Sequence, residues 1–303
     1  MSGVGPAGPP GPGTVFFLSD YGLRDEFAGV VHAVLRRLAP DAAVIDLTHE
    51  IAPFDVRAGA AALARALPHL GPGVVLAVVD PGVGGPRRAV ALETAAATGP
   101  RFWVGPDNGL LLGAAEAGGP VARAVDLARR APPDAADPAG GDGTPGPVTF
   151  DGRDLFAPTA AALCNGASLA SLGPAVDPSG LVRVPAPTCD AGTLPDGRSL
   201  LRAEVTWVDR FGNAQLAVPP VAVPPGVDRV AVDLDPAGAA PPPGPDAWGG
   251  PEAVRRVRAF GELAPGEAGL LVDANGALAL VVAEGSAAAR FGMVAGSLVR
   301  LVW

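Results

Sequence analysis

The sequence predicts two domains, an N-terminal α/β domain with a mainly parallel sheet and a C-terminal antiparallel β-barrel. The chain has 303 residues, about twice the ~150 residues of a typical domain. Its first two-thirds alternate short apolar runs with helical patterns, which indicates parallel strands joined by crossover helices. After residue 185 strand-like runs follow one another between turns, which is typical of a small barrel.

The elements of the N-terminal domain follow one another in strand and helix order. Short apolar runs predict strands at 14–19, 43–48, 73–79, 89–94 and 101–105. Apolar residues at helical spacing predict helices at 26–39, 56–67 and 153–166. Segment 131–147 has too few apolar side chains to pack, so a long surface loop is expected there.

The C-terminal domain is predicted to be mostly strands. The β candidates are 201–208, 213–218, 228–234, 267–273, 276–283 and 297–303, with one short helix at 286–292. A Pro- and Gly-rich run at 235–250 is expected to be a loop of the barrel. The predicted organisation is therefore a flexible tail at 1–13, an α/β domain at 14–185 and a β-barrel domain at 186–303.

Composition narrows the function classes. The chain contains no lysine, which excludes enzymes that form a Schiff base through a lysine and ATPases that bind phosphate through a P-loop lysine. A net charge of −9 disfavours nucleic-acid binding, so the expected partner is a small molecule. Cys164 and Cys189 stand far apart outside any Cys/His cluster, which predicts neither a disulfide framework nor a metal site. With no leader pattern and no long apolar run, a cytoplasmic protein that does not bind a membrane is expected.

Four loops beside predicted elements combine acidic residues with Gly or Pro. They read SDYGLRD, DPGVGGPRR, PDNGLL and TFDGRD. Ligands of open parallel sheets bind at the carboxyl ends of strands, so these loops are the candidate site. Asp20 and Asp154 are each equally well explained as helix caps. Caps alone do not explain the repeated Asp, Arg and Gly residues of all four loops.

Seven segments of the sequence carry a family resemblance. In order they are FFLSDYGLRDEFAGVVHAVL, VIDLTHEIAPFDVRAGA, VVDPGVGGPRRAVAL, VGPDNGLL, TFDGRDLFAP, VDRFGNAQL and ANGALALVVAEGSAA. Together they resemble the S-adenosylmethionine hydroxide adenosyltransferase family, relatives of the fluorinase and chlorinase enzymes. The resemblance implies an α/β domain, a β-barrel and a homotrimer with each site between the N-terminal domain of one subunit and the C-terminal domain of its neighbour.

The resemblance also implies a reaction and a substrate site. Water or hydroxide attacks the ribose C5' of S-adenosylmethionine, releasing methionine and adenosine, with no cofactor and no metal. Asp20 is implied to bind the ribose hydroxyls, and Phe54 to form an aromatic wall, although a core position suits Phe54 equally well. The residues implied to bind the amino group and the adenine are Asp209, Phe211, Asn213, Ser286 and Ala287.

The implied water-activating residues include one departure from the family. Asp80 and Arg87 match two members of an Asp/Arg/His set, and the seven-residue spacing selects Arg87 over Arg88. Halogenases carry Tyr at the place of Asp80, so a halide nucleophile is disfavoured. Asp151 stands where the family has His. Of the histidines, only His49, next to a strand end, merits consideration as a replacement.

Two hypotheses follow from Asp151. In the first, Asp80 and Asp151 face one water with Arg87 between or beside them, and the trio orients and polarises it. In the second, the protein is a non-catalytic or very slow S-adenosylmethionine- or adenosine-binding protein. The Asp80 and Arg87 pair favours the first, because a pure binding protein has little use for both.

Overall fold

The computed structural model describes residues 13–95, 100–127, 149–235 and 252–303. The chain divides into two compact units, Met1–Val184 and Pro185–Trp303. The predicted loop at 131–147 lies outside the described residues, as do residues 1–12 of the predicted tail and 236–250 of the barrel loop.

The first unit contains a six-stranded sheet. Its strands are β1 (Thr14–Ser19), β2 (Ala43–Thr48), β3 (Gly73–Val78), β4 (Ala89–Thr94), β5 (Arg101–Pro106) and β6 (Val121–Asp126). Their spatial order is β2-β1-β3-β5-β4-β6. β1 pairs in parallel with β2 and β3, and β3 with β5. β4 runs antiparallel to both β5 and β6, so the sheet is mixed around a parallel half.

Helices cover both faces of this sheet. They are α1 (Phe27–Leu38), α2 (Val56–Ala66), α3 (Leu112–Gly118) and α4 (Ala157–Cys164). One apolar cluster joins α1 and α4 to the sheet around Phe17 and Phe156. Another joins α2 and α3 to the opposite face around Leu63 and Trp103. Buried on both faces, β3 is apolar throughout, as expected for a central parallel strand.

The local sequence explains most of these helices. α1 buries Ala28, Val31 and Leu35, which recur at the spacing of one helical face. The Asp55 side chain accepts a hydrogen bond from Ala58 N at 2.8 Å and caps the start of α2. α3 and β6 were not predicted, because α3 is a short Gly- and Ala-rich helix and β6 has three polar or exposed positions in six.

The second unit is a closed barrel. Its strands are β7 (Cys189–Thr193), β8 (Ser199–Val208), β9 (Ala214–Leu216), β10 (Arg229–Asp235), β11 (Glu252–Arg256), β12 (Ala268–Val272), β13 (Leu278–Val282) and β14 (Leu298–Val302), and its helix is α5 (Ala287–Phe291). Seven strands close the ring in the order β14-β10-β11-β12-β13-β9-β8, with β7 added along β8. The pairing is antiparallel except between β11 and β12, which are parallel.

The two-domain fold class is therefore confirmed, with two barrel strands that the sequence did not predict. All five residues of β7 are exposed, and β11 carries Glu252 and two arginines, so neither shows an apolar alternation. Cys164 and Cys189 are free thiols. None of the helices in the described parts of the chain is long and apolar enough to span a membrane.

Candidate active site

The loop after β3 folds back so that Arg87 reaches Asp80. Two tight turns, from Val83 N to Asp80 O at 3.2 Å and from Gly85 N to Gly82 O at 2.9 Å, reverse the chain. Arg87 Nε then donates to Asp80 Oδ1 at 3.0 Å, and Arg87 Nη2 donates to Asp80 Oδ2. A Cβ at Gly82 would lie 3.1 Å from Arg87 Cγ, so this return of the chain leaves little room for a side chain.

Arg87 also binds Asp151, which lies 64 residues further along the chain. Arg87 Nη2 donates to Asp151 Oδ2. The side chains of Asp80, Arg87 and Asp151 are 5%, 10% and 7% exposed. We call these three residues the Arg87 cluster. With both carboxylates ionised the cluster carries one net negative charge in a position largely shielded from water.

The guanidinium of Arg87 has an unused donor. Arg87 Nη1 is buried and finds no hydrogen-bond partner among the described residues. Burial by itself lowers the pKa of Arg87, but the hydrogen bonds and charges of Asp80 and Asp151 raise that pKa above its usual range. Arg87 is therefore a permanent cation, and its Nη1 can donate a hydrogen bond to a bound water or hydroxide.

Asp151 introduces a π-helical turn, Gly152–Phe156, that leads into α4. Single π turns are frequent at functional sites because they redirect side chains within a helix. The Asp151 side chain makes no capping hydrogen bond to this turn, so it is not a helix cap. Phe156, fully buried, lies under the guanidinium of Arg87, with 5.6 Å between Arg87 Cζ and the ring centroid.

Tyr21 is a neighbour of the cluster that the sequence analysis did not select. An ideal Cβ at Gly152 would lie only 2.1 Å from the Tyr21 hydroxyl, which puts that hydroxyl against the backbone beside Asp151. Burial raises the pKa of Tyr21 well above its usual range, and the charges of Asp20, Asp80 and Asp151 raise it further. Tyr21 therefore stays protonated. The signal available in the sequence was that this is the only tyrosine of the chain.

Asp20 and Phe54 form one unit at the end of β1. Asp20 Oδ2 accepts a hydrogen bond from Phe54 N at 2.9 Å. Burial raises the pKa of Asp20 despite the Phe54 hydrogen bond, and the charge of Asp80 adds to that shift. Phe54 has a φ of 70° and is 71% exposed, so the alternative of a core Phe is wrong. A bulky residue in the left-handed region, presented to solvent, is a feature of ligand sites.

Two other acidic loop residues have structural partners. Asp107 accepts hydrogen bonds from Arg88 Nε and from Val182 N, both at 2.8 Å. Asp154 pairs with its neighbour Arg153 on the surface. The loops PDNGLL and TFDGRD therefore differ in their contacts despite their similar composition. Of Asp107, Asp151 and Asp154, only Asp151 contacts Arg87.

In the second unit, Asp209 organises the loop between β8 and β9. Its Oδ1 accepts from Phe211 N at 2.8 Å and from Asn213 N at 2.9 Å, and its Oδ2 accepts from Asn213 Nδ2 at 2.8 Å. This holds Phe211 at the tip of the loop, 71% exposed. Asp209 Oδ2 retains a lone pair that can accept a hydrogen bond from a cationic group. The same side chain can therefore both hold the loop and bind a ligand.

The segment that contains Ser286 and Ala287 packs against the same loop. Ser286 Oγ accepts from Ala289 N at 3.0 Å and caps α5, and a Cβ at Gly212 would lie 2.0 Å from Ser286 Oγ. Ala288 N donates to Gly212 O at 2.9 Å. Ala287 is fully buried in the barrel core. Its side chain cannot touch a ligand, so any contribution of Ala287 has to come from its backbone.

A cavity of about 950 Å³ opens on this unit beside the loop. Asp209, Phe211 and Asn213 line one part of it, and Arg258, Phe260 and Glu284 line another. The volume lies within the range of about 300–1,000 Å³ that is usual for small-molecule sites. The predicted site residues thus form two groups, one around Arg87 in the first unit and one around Asp209 in the second.

Comparison with known proteins identifies the family. The SAM hydroxide adenosyltransferase N-terminal domain matches residues 15–173, and the corresponding C-terminal domain matches residues 203–300. The chain belongs to the SAM hydroxide adenosyltransferase family. Together the two matches span most of both units, so the sequence resemblance is confirmed.

Relatives of this family match along nearly the whole chain. A protein of Salinispora tropica named (R)-S-adenosyl-L-methionine hydrolase is 45% identical over 287 residues, which are 95% of this chain and 97% of the relative. A protein of Thermus thermophilus with the same name is 40% identical over 298 residues, covering 95% and 99% of the two chains. A crystal structure of an uncharacterised conserved protein from Thermotoga maritima matches with a TM-score of 0.75 at 29% identity, covering 95% and 99%.

Proposed function

We propose that this member of the SAM hydroxide adenosyltransferase family hydrolyses S-adenosylmethionine to adenosine and L-methionine. The observation that carries the proposal is the Arg87 cluster. Two buried carboxylates bind one buried guanidinium, whose Nη1 has no hydrogen-bond partner among the described residues. The relatives of similar length are named (R)-S-adenosyl-L-methionine hydrolase, so the substrate proposed here is the epimer with the (R) sulfonium.

The proposed step is a displacement at carbon. The oxygen of a water attacks ribose C5', the C5'–S bond breaks, and its electron pair goes to sulfur, which leaves as the neutral thioether of methionine. The proton of the water passes to a carboxylate of the Arg87 cluster. Because the sulfur of a sulfonium leaves as a neutral thioether, no acid is needed to protonate the leaving group. It has to align the reactants, exclude bulk water and supply the nucleophile.

Charge balance supports this assignment of the Arg87 cluster. A sulfonium is cationic, and the cluster with both carboxylates ionised has one net negative charge at 5–10% side-chain exposure. In such a shielded position electrostatic interactions are stronger than in water. Arg87 Nη1 would hold the attacking oxygen while one carboxylate accepts its proton, and Arg87 keeps the two carboxylates close together.

We further propose which residues hold the substrate. Asp20 Oδ1 would accept the ribose hydroxyls, since a carboxylate can take two O–H donors, and the exposed ring of Phe54 would cover the sugar. Asp209 Oδ2 would bind the amino group of the methionine part. The adenine would be bound by the backbone around Ser286 and Ala287, with Phe211 and Asn213 on the neighbouring loop. The proposed reaction uses no cofactor.

A homotrimer is the proposed assembly, as the family resemblance implies. Phe54 and Phe211 are each 71% exposed in their own units, as residues that await a ligand or a neighbouring subunit would be. Multi-angle light scattering with and without S-adenosylmethionine measures the assembly. A monomer that binds and turns over substrate would rule out a site shared between subunits. Location in the cytoplasm stays a prediction.

One assay tests the proposed reaction. Purified protein is incubated with each sulfonium epimer separately, and adenosine and methionine are followed by chromatography, with chloride and fluoride added in parallel. Equal amounts of adenosine and methionine from the (R) epimer, with no halogenated nucleoside, are expected. Tight binding without any adenosine would instead favour the second hypothesis, a binding protein in which Asp151 has removed water activation.

A further inference from the structure

Two histidines and an aspartate meet beside the sheet edge, outside the Arg87 cluster. His32 comes from α1, Asp46 from β2 and His49 from the turn after β2. His32 Nε2 lies 2.8 Å from Asp46 Oδ1, and His49 Nε2 lies 3.1 Å from the same oxygen. One ligand atom of each residue lies within 4.8 Å of those of the other two. We call these three residues the His49 cluster.

His49 supplies an independent observation. Its side chain is 3% exposed, yet Nε2 makes no hydrogen bond with any described residue, and its approach to Asp46 lacks hydrogen-bond geometry. A buried polar atom without a hydrogen-bond partner is unfavourable, so a partner for Nε2 is expected. The neighbouring oxygen belongs to an exposed carboxylate that His32 already contacts.

The other ring nitrogen of His49 is fixed as in metal sites. His49 Nδ1 hydrogen-bonds Ser19 Oγ at 2.8 Å, and the ring packs edge-on against Phe17 with 4.6 Å between centroids. With the proton on Nδ1, Nε2 carries a lone pair directed into the cluster. Metal-binding histidines almost always donate their second ring N–H to a carboxylate, a backbone carbonyl or a water, which sets the tautomer and the ring orientation, and here the Ser19 hydroxyl would be that acceptor.

We propose that His32, Asp46 and His49 form a binding site for a divalent transition-metal ion of the Zn²⁺ or Co²⁺ class. Two imidazoles and one carboxylate suit these borderline ions and disfavour Mg²⁺ and Ca²⁺, which prefer oxygen ligands. At tetrahedral angles, ligand atoms on bonds of about 2.0–2.2 Å lie roughly 3.3–3.6 Å apart, so both imidazole nitrogens would have to move a few tenths of an ångström away from Asp46 Oδ1 to admit the ion. The side chains of His32 and Asp46, 35% and 45% exposed, leave an open side for water.

The site would join elements that border the active site. It would link α1 to the edge strand β2, and through Ser19 it would reach the segment that carries Asp20 and Tyr21, since Tyr21 N donates to Ser19 Oγ at 3.3 Å. We therefore expect metal binding to stabilise the first unit. The sequence analysis predicted no metal site, because these ligands come from different elements and show no motif spacing.

Calorimetric titration of the full, untagged chain with ZnCl₂ tests the proposal. The protein carries Cys189→Ser, because Cys189 is an exposed free thiol that can itself bind Zn²⁺. The test variant is His32→Ala, with His32→Gln as a second, because His32 is partly exposed on a helix. The matched control is His69→Ala, which removes an exposed histidine outside the cluster.

One equivalent of Zn²⁺ per chain is expected for the Cys189→Ser protein and for its His69→Ala variant. Both His32 variants should bind at least about tenfold more weakly, the minimum loss seen when a supporting residue of a metal site is removed. At the same Zn²⁺ concentration, the melting temperature should also rise less in the His32 variants than in the control. Absence of binding, or equal affinity in the His32 variants, would refute the site. No readout uses S-adenosylmethionine, so the result is independent of the proposed function.

Discussion

Arg87 and Arg88 are adjacent in the chain, and each binds a buried aspartate, but the two ion pairs differ in how completely they are satisfied. Arg88 pairs with Asp107, which also accepts Val182 N, while Arg88 Nη2 donates to Gly180 O. Arg87 is shared between two carboxylates and keeps Nη1 without a partner among the described residues. The first pair is neutral, whereas the second group has an excess carboxylate.

This difference shows how similar residues serve different purposes. The Arg88–Asp107 pair fixes the segment around Val182 to the loop after β5, and no buried side-chain atom of either residue lacks a hydrogen-bond partner among the described residues. A buried group with surplus negative charge and an unused donor is costly for folding but ready to bind a cation and a water. Incomplete satisfaction of hydrogen bonds, rather than burial or residue type, distinguishes the Arg87 cluster, the proposed reactive group, from the Arg88–Asp107 pair.

Replacing Arg87 and Arg88 by Gln in separate variants should give the largest difference in kcat. Arg87→Gln leaves two buried carboxylates without their cation, which should lower kcat for adenosine formation by about 10²–10³, as for loss of a stabilising donor. It should also lower the free energy of unfolding by about 3–5 kcal/mol. Arg88→Gln should lower the melting temperature and keep kcat. Steady-state kinetics and thermal melts measure both, and equal kcat losses in the two variants would remove the distinction.

The two aspartates around the π turn sharpen the same comparison. Asp151→Asn should lower kcat by about 10²–10⁴, the usual effect of losing a general base. Asp154→Asn, its control, alters only a surface pair with Arg153 and should leave kcat unchanged. Asp151→His, which restores the residue implied by the family resemblance, should be faster than Asp151→Asn. If all three variants turn over at the wild-type rate, position 151 takes no part in the chemistry.

Asp20→Asn should weaken substrate binding and at the same time stabilise the folded protein at neutral pH. Removing the charge should weaken substrate binding by about 1.5–3 kcal/mol, the range for hydrogen bonds to charged groups. Because burial raises the pKa of Asp20 in the folded state, ionising it costs stability. The variant should therefore be more stable than wild type at neutral pH, and this gain should disappear as pH falls towards the unfolded-state pKa of about 3.9. Calorimetry and urea melts at two pH values measure both, and a less stable variant at pH 7 would contradict the argument.

Tyr21→Phe should have the smallest effect on the pH dependence. Burial and the nearby carboxylates raise the pKa of Tyr21, so it should not ionise in the pH range of an assay. Wild type and Tyr21→Phe should therefore show parallel profiles of kcat against pH up to about pH 10, where an ordinary tyrosine ionises. A high-pH limb present in wild type and missing in the variant would show that Tyr21 titrates.

The sequence by itself determined the elements and the residues adjacent to them. Apolar runs mark β1, β3, β4 and β5 because a buried strand needs them, whereas the edge strand β2 has no buried residue. Asp80 pairs with Arg87 because the tight turns of the short DPGVGGPR segment reverse the chain locally. β6, β7 and β11 were missed because their stability comes from neighbouring strands rather than from an apolar pattern of their own.

Only the tertiary structure decided which side chains share partners. Asp151 reaches Arg87 across 64 residues, Asp107 binds Arg88 instead of a ligand, and His32 meets His49 through the packing of α1 on β2. Local propensity and turn chemistry act over a few residues, so they are readable in the sequence. Contacts between distant residues depend on how the layers pack, and a pattern of spacing does not encode that packing.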